Sequence, residues 1–429
     1  MPSDTEQAST EQASAQPGRT MFGWYGAFDG KGKKTFWACF LGYGLDAFDL
    51  QIYSFVMPVL VGLWSMSNTQ AGLIATSALA ISALGGWLAG MLADKIGRVR
   101  LLQITVAWFA FFTFLSGFAN NFEQLLIIRG LQGLGFGGEW AAGAVLIGEI
   151  AKAQHRGKAV GMVQSAWSWG WGLAALMATL AFQILPPEIA WRVMFFIGIL
   201  PAGLIFFVRR MVPESEVYLQ VQQAPGERRS VFSIFSKDLL YTTFFGSLLA
   251  VGAHGGYYAI TTWLPTFLRT ERQLSNIGSG GYLAVVILGS FAGYMTSAYL
   301  SDYLGRRRTI MLFALGAMIM VVGYTQADIS NGVMLFLGFP LGFLSSGIFS
   351  GFGPFYTELF PTSVRGTGQG FCYNFGRGCA AGVPALVGFI SAQASLGKAI
   401  YIVAGCAYVI VIAAALCLPE TRGRELRSN

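Results

Sequence analysis

The sequence predicts an all-α polytopic membrane protein with twelve transmembrane helices in two six-helix bundles related by pseudo-symmetry. Three observations predict this fold class: long apolar segments, an internal duplication and a one-sided distribution of basic residues. The 429 residues are 54% hydrophobic and only 11% charged, whereas soluble domains carry about 25% charged residues. Because about 20 apolar residues cross a ~30 Å hydrocarbon core, segments of this composition are long enough to span a bilayer.

Twelve apolar segments of sufficient length follow one another along the chain. They lie near residues 36–60, 68–92, 101–120, 123–149, 159–185, 191–210, 239–268, 275–300, 309–327, 332–357, 367–391 and 398–418. A charged stretch with prolines separates the sixth segment from the seventh. We therefore predict five regions: a polar, disordered N-terminus (1–34), an N-terminal bundle (35–211), a linker (212–237), a C-terminal bundle (238–418) and a tail (419–429).

Basic residues predict the orientation. If both termini are cytoplasmic, 22 of the 28 Lys and Arg fall in cytoplasmic loops, four fall outside and two lie within spans. Cytoplasmic loops of membrane proteins carry such an excess, so we expect an inner (plasma) membrane protein with both termini inside. The same distribution explains the net charge of +7 without a nucleic-acid partner.

The chain offers little for enzyme chemistry. The five cysteines all lie in apolar segments without a Cys-x-x-Cys pair, and there are two histidines. We see no nucleophile–base pair, metal cluster or cofactor-binding loop in this pattern. The sequence therefore predicts neither an enzyme nor a bound cofactor or metal.

The two halves share residues in register. Residues 90–98 recur as residues 298–306 at a constant offset of 208 (Gly90 matching Ala298), and further matches occur at offsets of 209 and 206. These further matches are Glu149, Arg156 and Gly157 with Glu358, Arg365 and Gly366, and Pro213-Glu214 with Pro419-Glu420. Such parallel repeats are one known transporter architecture, with the substrate site between the repeats.

The repeated motifs carry a resemblance. The Gly-x-Leu-Ala-Asp-x-x-Gly-Arg loop at 90–98, the Arg129–Gly133 segment and the 419–423 tail resemble those of the major facilitator superfamily. The resemblance covers the chain after residue 35, and the second loop copy departs from it at Ala298, where glycine is usual. Segments 46–49, 137–140 and 374–377 are similar to the sialate, aromatic-acid and metabolite:proton symporter branches.

Two aspartates lie in the middle of the first span. Asp46 and Asp49 share one helical face at spacing i, i+3, and a carboxylate at this depth costs roughly 2.5–3.5 kcal/mol on insertion scales. We expect them to carry the coupling proton, with Glu139 as a further candidate. The alternative is a buried polar pair that only bonds to neighbouring helices. Arg129 lies in the same span as Glu139, and we consider a structural role for it, as a partner of Glu123 or of an outer loop.

Arg377 lies near the middle of span eleven, and Asn374 lies one turn before it. A guanidinium at this depth needs a partner, and its planar fork suits a carboxylate; a permanent salt bridge to Asp46, Asp49 or Glu139 is the alternative. The alternative to a substrate-binding role for His254 is a hydrogen-bonded contact between helices. The alternative for the tryptophans of span five is simple packing. The predicted substrate-binding residues are Arg377, Asn374, Tyr53, His254, Tyr257, Tyr258, Gln164, Trp167 and Trp171.

Charged residues at the inner loops are predicted to form a conformational latch between states. The alternative for the arginines is anchoring at the lipid surface. The predicted latch residues are Gly90, Asp94, Gly97, Arg98, Glu149, Arg156, Asp302, Arg306, Glu358 and Arg365.

These observations predict a monomeric secondary transporter that imports a small organic acid, as its anion, together with protons, by alternating access in the lipid bilayer. One alternative is a proton-driven exporter of aromatic or amphiphilic compounds, although span five lacks the proline of the Gly-Pro motif of drug antiporters. The other is a non-transporting sensor with a transporter fold.

Overall fold

The computed structural model describes residues 23–26, 28–96, 98–150, 156–200, 203, 231–361 and 364–422. The long elements in this part of the chain are α-helices. They are α1 Gly30–Leu63, α2 Asn68–Ile96, α3 Arg98–Ser116, α4 Phe122–Ile150, α5 Arg156–Ile184, α6 Pro187–Ile197, α7 Lys237–Thr270, α8 Asn276–Leu304, α9 Arg306–Gln326, α10 Asn331–Leu359, α11 (segments Arg365–Ala380 and Val383–Ser391) and α12 Leu396–Cys417. A 3₁₀ turn, Ile348–Gly351, interrupts α10.

The helices follow the predicted spans in order, and seven of those described are long and apolar enough to cross a membrane. A helix suits this environment because it satisfies its backbone hydrogen bonds internally. Helix α1 begins at Gly30, so residues 30–34 are helical rather than part of a disordered N-terminus. Asp29 caps this start, because its Oδ1 accepts from the N–H of Gly32 at 2.7 Å.

Two other predicted boundaries differ. Span eleven was expected as one helix but is broken between Ala380 and Val383; Pro384, in the first turn of the second segment, supplies no N–H to continue the ladder. Most of the predicted linker lies outside the described residues, and its end forms a short 3₁₀ helix, Val231–Phe235, before α7.

The packing repeats between the two halves. Contacts of α1 with α5, α2 with α4, and α3 with α4 and α6 recur as contacts of α7 with α11, α8 with α10, and α9 with α10 and α12. Between the halves, α2 packs on α11, α5 on α8 and α1 on α7. The duplication read from the sequence is therefore present in the helix arrangement.

One contact between the halves is very close. A Cβ built on Gly72 of α2 would lie 2.5 Å from the carbonyl oxygen of Pro384 in α11, so only glycine fits there. Near it, Asn68 Nδ2 donates to Ser391 Oγ at 3.1 Å, and the N–H of Ala385 donates to Thr76 Oγ1 at 3.3 Å. These contacts hold together the ends of α2 and α11 that are predicted to face outward.

Candidate functional site

Asp49 lies fully buried inside the N-terminal half. Its carboxylate accepts hydrogen bonds from Thr113 Oγ1 on α3 and from Gln132 Nε2 on α4. A buried carboxylate is costly unless it is hydrogen-bonded and paired with a charge. Thr113 and Gln132 supply the hydrogen bonds, and a residue of α4 supplies the opposite charge.

The charge partner of Asp49 is Arg129, which is only 1% exposed. Arg129 precedes Gln132 by one turn of α4, so both side chains face α1. The described ion pairs closer than 4 Å involve Arg306, so the Asp49–Arg129 attraction acts at longer range. Glu123, which we considered as a partner of Arg129, is exposed at the start of α4.

The Arg129 guanidinium is held by aromatic rings. Its central carbon lies 5.6 Å from the ring centre of Tyr53 and 5.8 Å from that of Phe195, a geometry that stabilises a buried cation. Its Nε and Nη1 have no hydrogen-bond partner among the described residues. Tyr53 donates its hydroxyl to the carbonyl of Ala71 at 2.7 Å, so its ring is fixed against the guanidinium.

The other two predicted proton-coupling residues are placed less fully. Asp46 is buried, 1% exposed, one turn before Asp49 on α1. The side chain of Glu139 lies outside the described residues. Their roles in proton coupling stay predictions.

Arg377 is 2% exposed and lies between the two halves. Its guanidinium carbon is 4.4 Å from the ring centre of Phe136 on α4, and its Nε donates to Tyr258 Oη on α7 at 3.4 Å. Its Nη1 has no partner within the described part of the chain. The Asn374 amide donates to the carbonyl of Gly370 at 3.0 Å, and its Oδ1 is left without a described partner. Two buried polar atoms are thus available to a ligand.

His254 lies on α7 in a box of rings. Its ring centre is 4.6 Å from that of Tyr373, 5.1 Å from Phe349 and 5.7 Å from Tyr258. Its Nδ1 lies 2.9 Å from the carbonyl oxygen of Ala250. His254 is therefore hydrogen-bonded to its own helix through Nδ1, while its Nε2 has no described partner.

The α5 residues meet α7 from the other half. Trp167 Nε1 donates to Tyr257 Oη at 2.6 Å, and the Trp167 ring packs 5.2 Å from Tyr43. Trp171 and Gln164 are also buried, and Nε1 of Trp171 has no described partner. On the predicted polar face of α5, Trp167 therefore contacts the other half.

A small cavity joins these elements, with room for about one water molecule. The walls come from α1, α2, α4 and α7, thus from both halves. The lining residues are Leu50, Gln51, Tyr53, Ser54, Ala75, Leu79, Arg129, Tyr257, Tyr258, Thr261 and Thr262. Tyr258 lines this cavity and also bonds Arg377, so the two guanidinium sites share one wall residue.

Sequence reasoning did not assign three residues to this site. The spacing along α4 predicts that Phe136 shares a face with Arg129, but it does not show that this face meets Arg377. Gln51 borders the cavity, two residues from Asp49, on a face that we did not consider. Thr113 gave no signal, because a lone threonine in an apolar span is common and its contact with Asp49 depends on helix packing.

Three charged residues of the C-terminal copy of the predicted latch are in contact. Arg306 Nη1 lies 2.8 Å from Asp302 Oδ1, and its Nη2 and Nε bind the Glu358 carboxylate at 2.9 and 3.1 Å. The tail joins this cluster: Thr421 donates its hydroxyl to Glu358 at 2.5 Å, and the N–H of Arg306 donates to Glu420 at 2.8 Å. The packing of the other predicted latch residues lies outside the description, so latching stays a prediction; they are Gly90, Asp94, Gly97, Arg98, Glu149, Arg156 and Arg365.

Comparisons with known proteins agree with this architecture. The family model described as Major Facilitator Superfamily matches residues 39–381, and the one described as Sugar (and other) transporter matches residues 343–428. A probable 4-methylmuconolactone transporter of Cupriavidus pinatubonensis is 43% identical over 94% of both chains. A cis,cis-muconate transport protein of Acinetobacter baylyi is 30% identical over 88% of this chain and 92% of its own.

A solved structure shows the same fold. The partially occluded, inward-open xylose transporter XylE from E. coli superposes with a TM-score of 0.72 at 19% identity, over 93% of this chain and 100% of that one. The matched family and the relatives are membrane transporters, not enzymes. The chain belongs to the major facilitator superfamily and resembles its organic-acid branch.

Proposed function

We propose that this protein imports a small organic anion together with protons by alternating access. The observation that carries the proposal is the placement of two buried guanidiniums, Arg129 and Arg377, on either side of Tyr258 at the junction of the halves. Arg129 faces a buried carboxylate, Asp49, whereas Arg377 has an unused donor. One site therefore suits a proton and the other suits an anion.

Asp49 is the preferred proton carrier in this proposal. While Asp49 is ionised, its charge balances Arg129 in a region that excludes water. When a proton binds, the hydrogen bonds from Thr113 and Gln132 weaken, and Arg129 loses its counter-charge. An uncompensated buried charge costs several kcal/mol, so protonation favours a state in which water or an anion reaches the cavity. Asp46 remains a further candidate on the same helix.

Arg377 is the proposed anchor for the substrate carboxylate. The Phe136 ring supports the guanidinium plane, Tyr258 occupies Nε, and Nη1 stays available. A carboxylate placed there gains a charge-assisted hydrogen bond. The surrounding rings favour an apolar or cyclic body attached to the carboxylate.

The relatives support an organic acid as substrate. Their names assign 4-methylmuconolactone to one and cis,cis-muconate to another. A further relative from Escherichia coli is named a 3-(3-hydroxy-phenyl)propionate transporter, at 28% identity. We extend the common class, small organic acids, to this chain without selecting one of these compounds.

The proposal includes the setting of the transporter. It lies in the bacterial inner membrane as a monomer with both termini cytoplasmic. Regions 35–211 and 238–418 rock against each other around the central cavity. In the proposed cycle, the contacts of Gly72 and Asn68 with α11 close the outer side.

Transport by purified protein in proteoliposomes tests the proposal. With an inward proton gradient, we expect wild-type protein to accumulate labelled cis,cis-muconate or 3-(3-hydroxyphenyl)propionate. Asp49→Asn should still exchange internal for external substrate but should not accumulate it, and Arg377→Gln should lose both activities. Asp328→Asn, which changes an exposed aspartate, is the matched control and should behave as wild type.

Two outcomes contradict the proposal. Gradient-driven accumulation by Asp49→Asn at the wild-type level rules out Asp49 as the coupling residue. Substrate extrusion in place of uptake, under the same imposed gradient, rules out import and favours the exporter.

A further inference from the structure

His254 has one ring nitrogen that the protein does not use. The side chain is 2% exposed, and Nε2 has no hydrogen-bond partner among the described residues. Most buried polar atoms in proteins are paired, so a buried nitrogen left without a partner requires an explanation. A ligand that supplies the missing partner is such an explanation.

The backbone fixes which kind of partner Nε2 needs. A carbonyl oxygen only accepts hydrogen bonds, so the 2.9 Å contact with Ala250 places the proton on Nδ1. In neutral imidazole the other nitrogen then carries a lone pair. A second proton would make the imidazole positive close to the Arg377 guanidinium, and two buried like charges repel each other. Nε2 is therefore a hydrogen-bond acceptor.

His254 and Arg377 belong to one enclosure. Tyr373 contacts both: its ring centre lies 4.6 Å from that of His254, edge to face, and 5.9 Å from the Arg377 guanidinium carbon. Tyr258 also contacts both, through its ring and its hydroxyl. Phe349 supplies an apolar wall on the His254 side. A donor at Arg377 and an acceptor at His254 thus lie beside the same two aromatic residues, Tyr373 and Tyr258.

We propose that His254 selects substrates that carry a hydrogen-bond donor, such as a hydroxyl or N–H, at the end of a ring opposite the carboxylate. This inference rests on the proposed function, because Arg377 must hold the carboxylate for His254 to read the other end. Sites that hydrogen-bond a substrate hydroxyl discriminate strongly against analogues that lack it, because the buried protein atom is then left unpaired.

Matched ligand pairs test this selectivity. The probes are 3- and 4-hydroxybenzoate and 3-(3-hydroxyphenyl)propionate, each compared with its methoxy analogue. In wild-type protein we expect the hydroxyl member of at least one pair to bind at least roughly ten-fold more tightly than its methoxy analogue. His254→Phe keeps a ring in the box and should bring that ratio close to one, whereas His254→Gln retains an acceptor and should preserve part of it. Phe349→Leu is the control and should lower the affinity for both members of each pair by the same factor.

A spectroscopic readout separates selectivity from stability. The chain has two histidines, His155 and His254, so protein labelled with ¹⁵N-histidine gives few side-chain signals, and His155→Gln assigns them. We expect the Nδ1–H tautomer of His254 without ligand, and a shift of the Nε2 resonance when the hydroxyl member binds but not when the methoxy member binds.

The outcomes separate the inference from the proposed function. Equal affinities within every pair, or a hydroxyl preference that survives in His254→Phe, overturn the role of His254 while leaving carboxylate transport intact. A wild-type protein that binds none of these acids overturns the proposed function, and this inference with it.

Discussion

The charge pair of Asp49 and Arg129 makes a quantitative prediction. Replacing Asp49 with Asn removes a charge but few hydrogen bonds: Asn Oδ1 still accepts from Thr113, and the Gln132 amide rotates so that its Oε1, which has no described partner, accepts from the new Nδ2. The main loss is the counter-charge of a guanidinium that is 1% exposed. Removing one partner of such a buried pair costs about 3–5 kcal/mol.

The double variant Asp49→Asn/Arg129→Gln isolates the charge interaction. It has no uncompensated charge, so it should lose less free energy of unfolding than the two single variants together. Interacting residues show coupling energies of about 0.5–3 kcal/mol. Because both side chains are buried but are not in direct contact, we expect a coupling of about 1–3 kcal/mol.

Titration with a denaturing detergent unfolds the protein reversibly in mixed micelles. It measures the unfolding free energies of wild type, the two single variants and the double variant. Asp328→Asn should change the unfolding free energy by less than about 0.5 kcal/mol, as surface substitutions do. Strictly additive losses in the double variant would refute the pairing and remove the electrostatic basis for coupling at Asp49.

Two further predictions concern contacts between the halves. Trp167→Phe removes the donor to the buried Tyr257 hydroxyl and should lower the unfolding free energy by about 1–3 kcal/mol; Trp169→Phe, at a ring that is 62% exposed, should have almost no effect in the same titration. Gly72→Ala places a methyl group against the Pro384 carbonyl and should open the outer side. A cysteine introduced at the lining of the cavity should then react faster with a membrane-impermeant maleimide, and an unchanged rate would contradict the role of this contact.

The fold was predictable because the bilayer restricts it. Spans must be long, apolar and helical, so hydropathy alone located them, and the offset of 208 between the two loop copies established the duplication. The break in α11 was not predicted, although Pro384 was visible in the sequence. Proline inside a membrane helix is often tolerated, so the residue alone does not say whether the helix bends or stops.

The site was only partly predictable, for a different reason. Spacing along α1 showed that Asp46 and Asp49 share a face, but it did not show which helix that face meets. A salt bridge to Asp49 was one alternative for Arg377, but in the structure the guanidinium whose charge acts on Asp49 is that of Arg129. Which of two guanidiniums pairs with a carboxylate depends on packing between helices that are far apart along the chain: Arg129 follows Asp49 by 80 residues. No local pattern in the sequence records such a contact.

The attraction between Asp49 and Arg129 is one part of the charge balance at the centre of the protein. Among the described buried side chains of the central site, two carboxylates, Asp46 and Asp49, are accompanied by two guanidiniums, Arg129 and Arg377. Each proton that binds a carboxylate leaves one positive charge in excess, and an anion at Arg377 restores the balance. A cation or a second proton would increase the excess instead. Under the proposed function, electrostatics therefore favours loading of protons and anions together, which is the sign that symport of an acid requires.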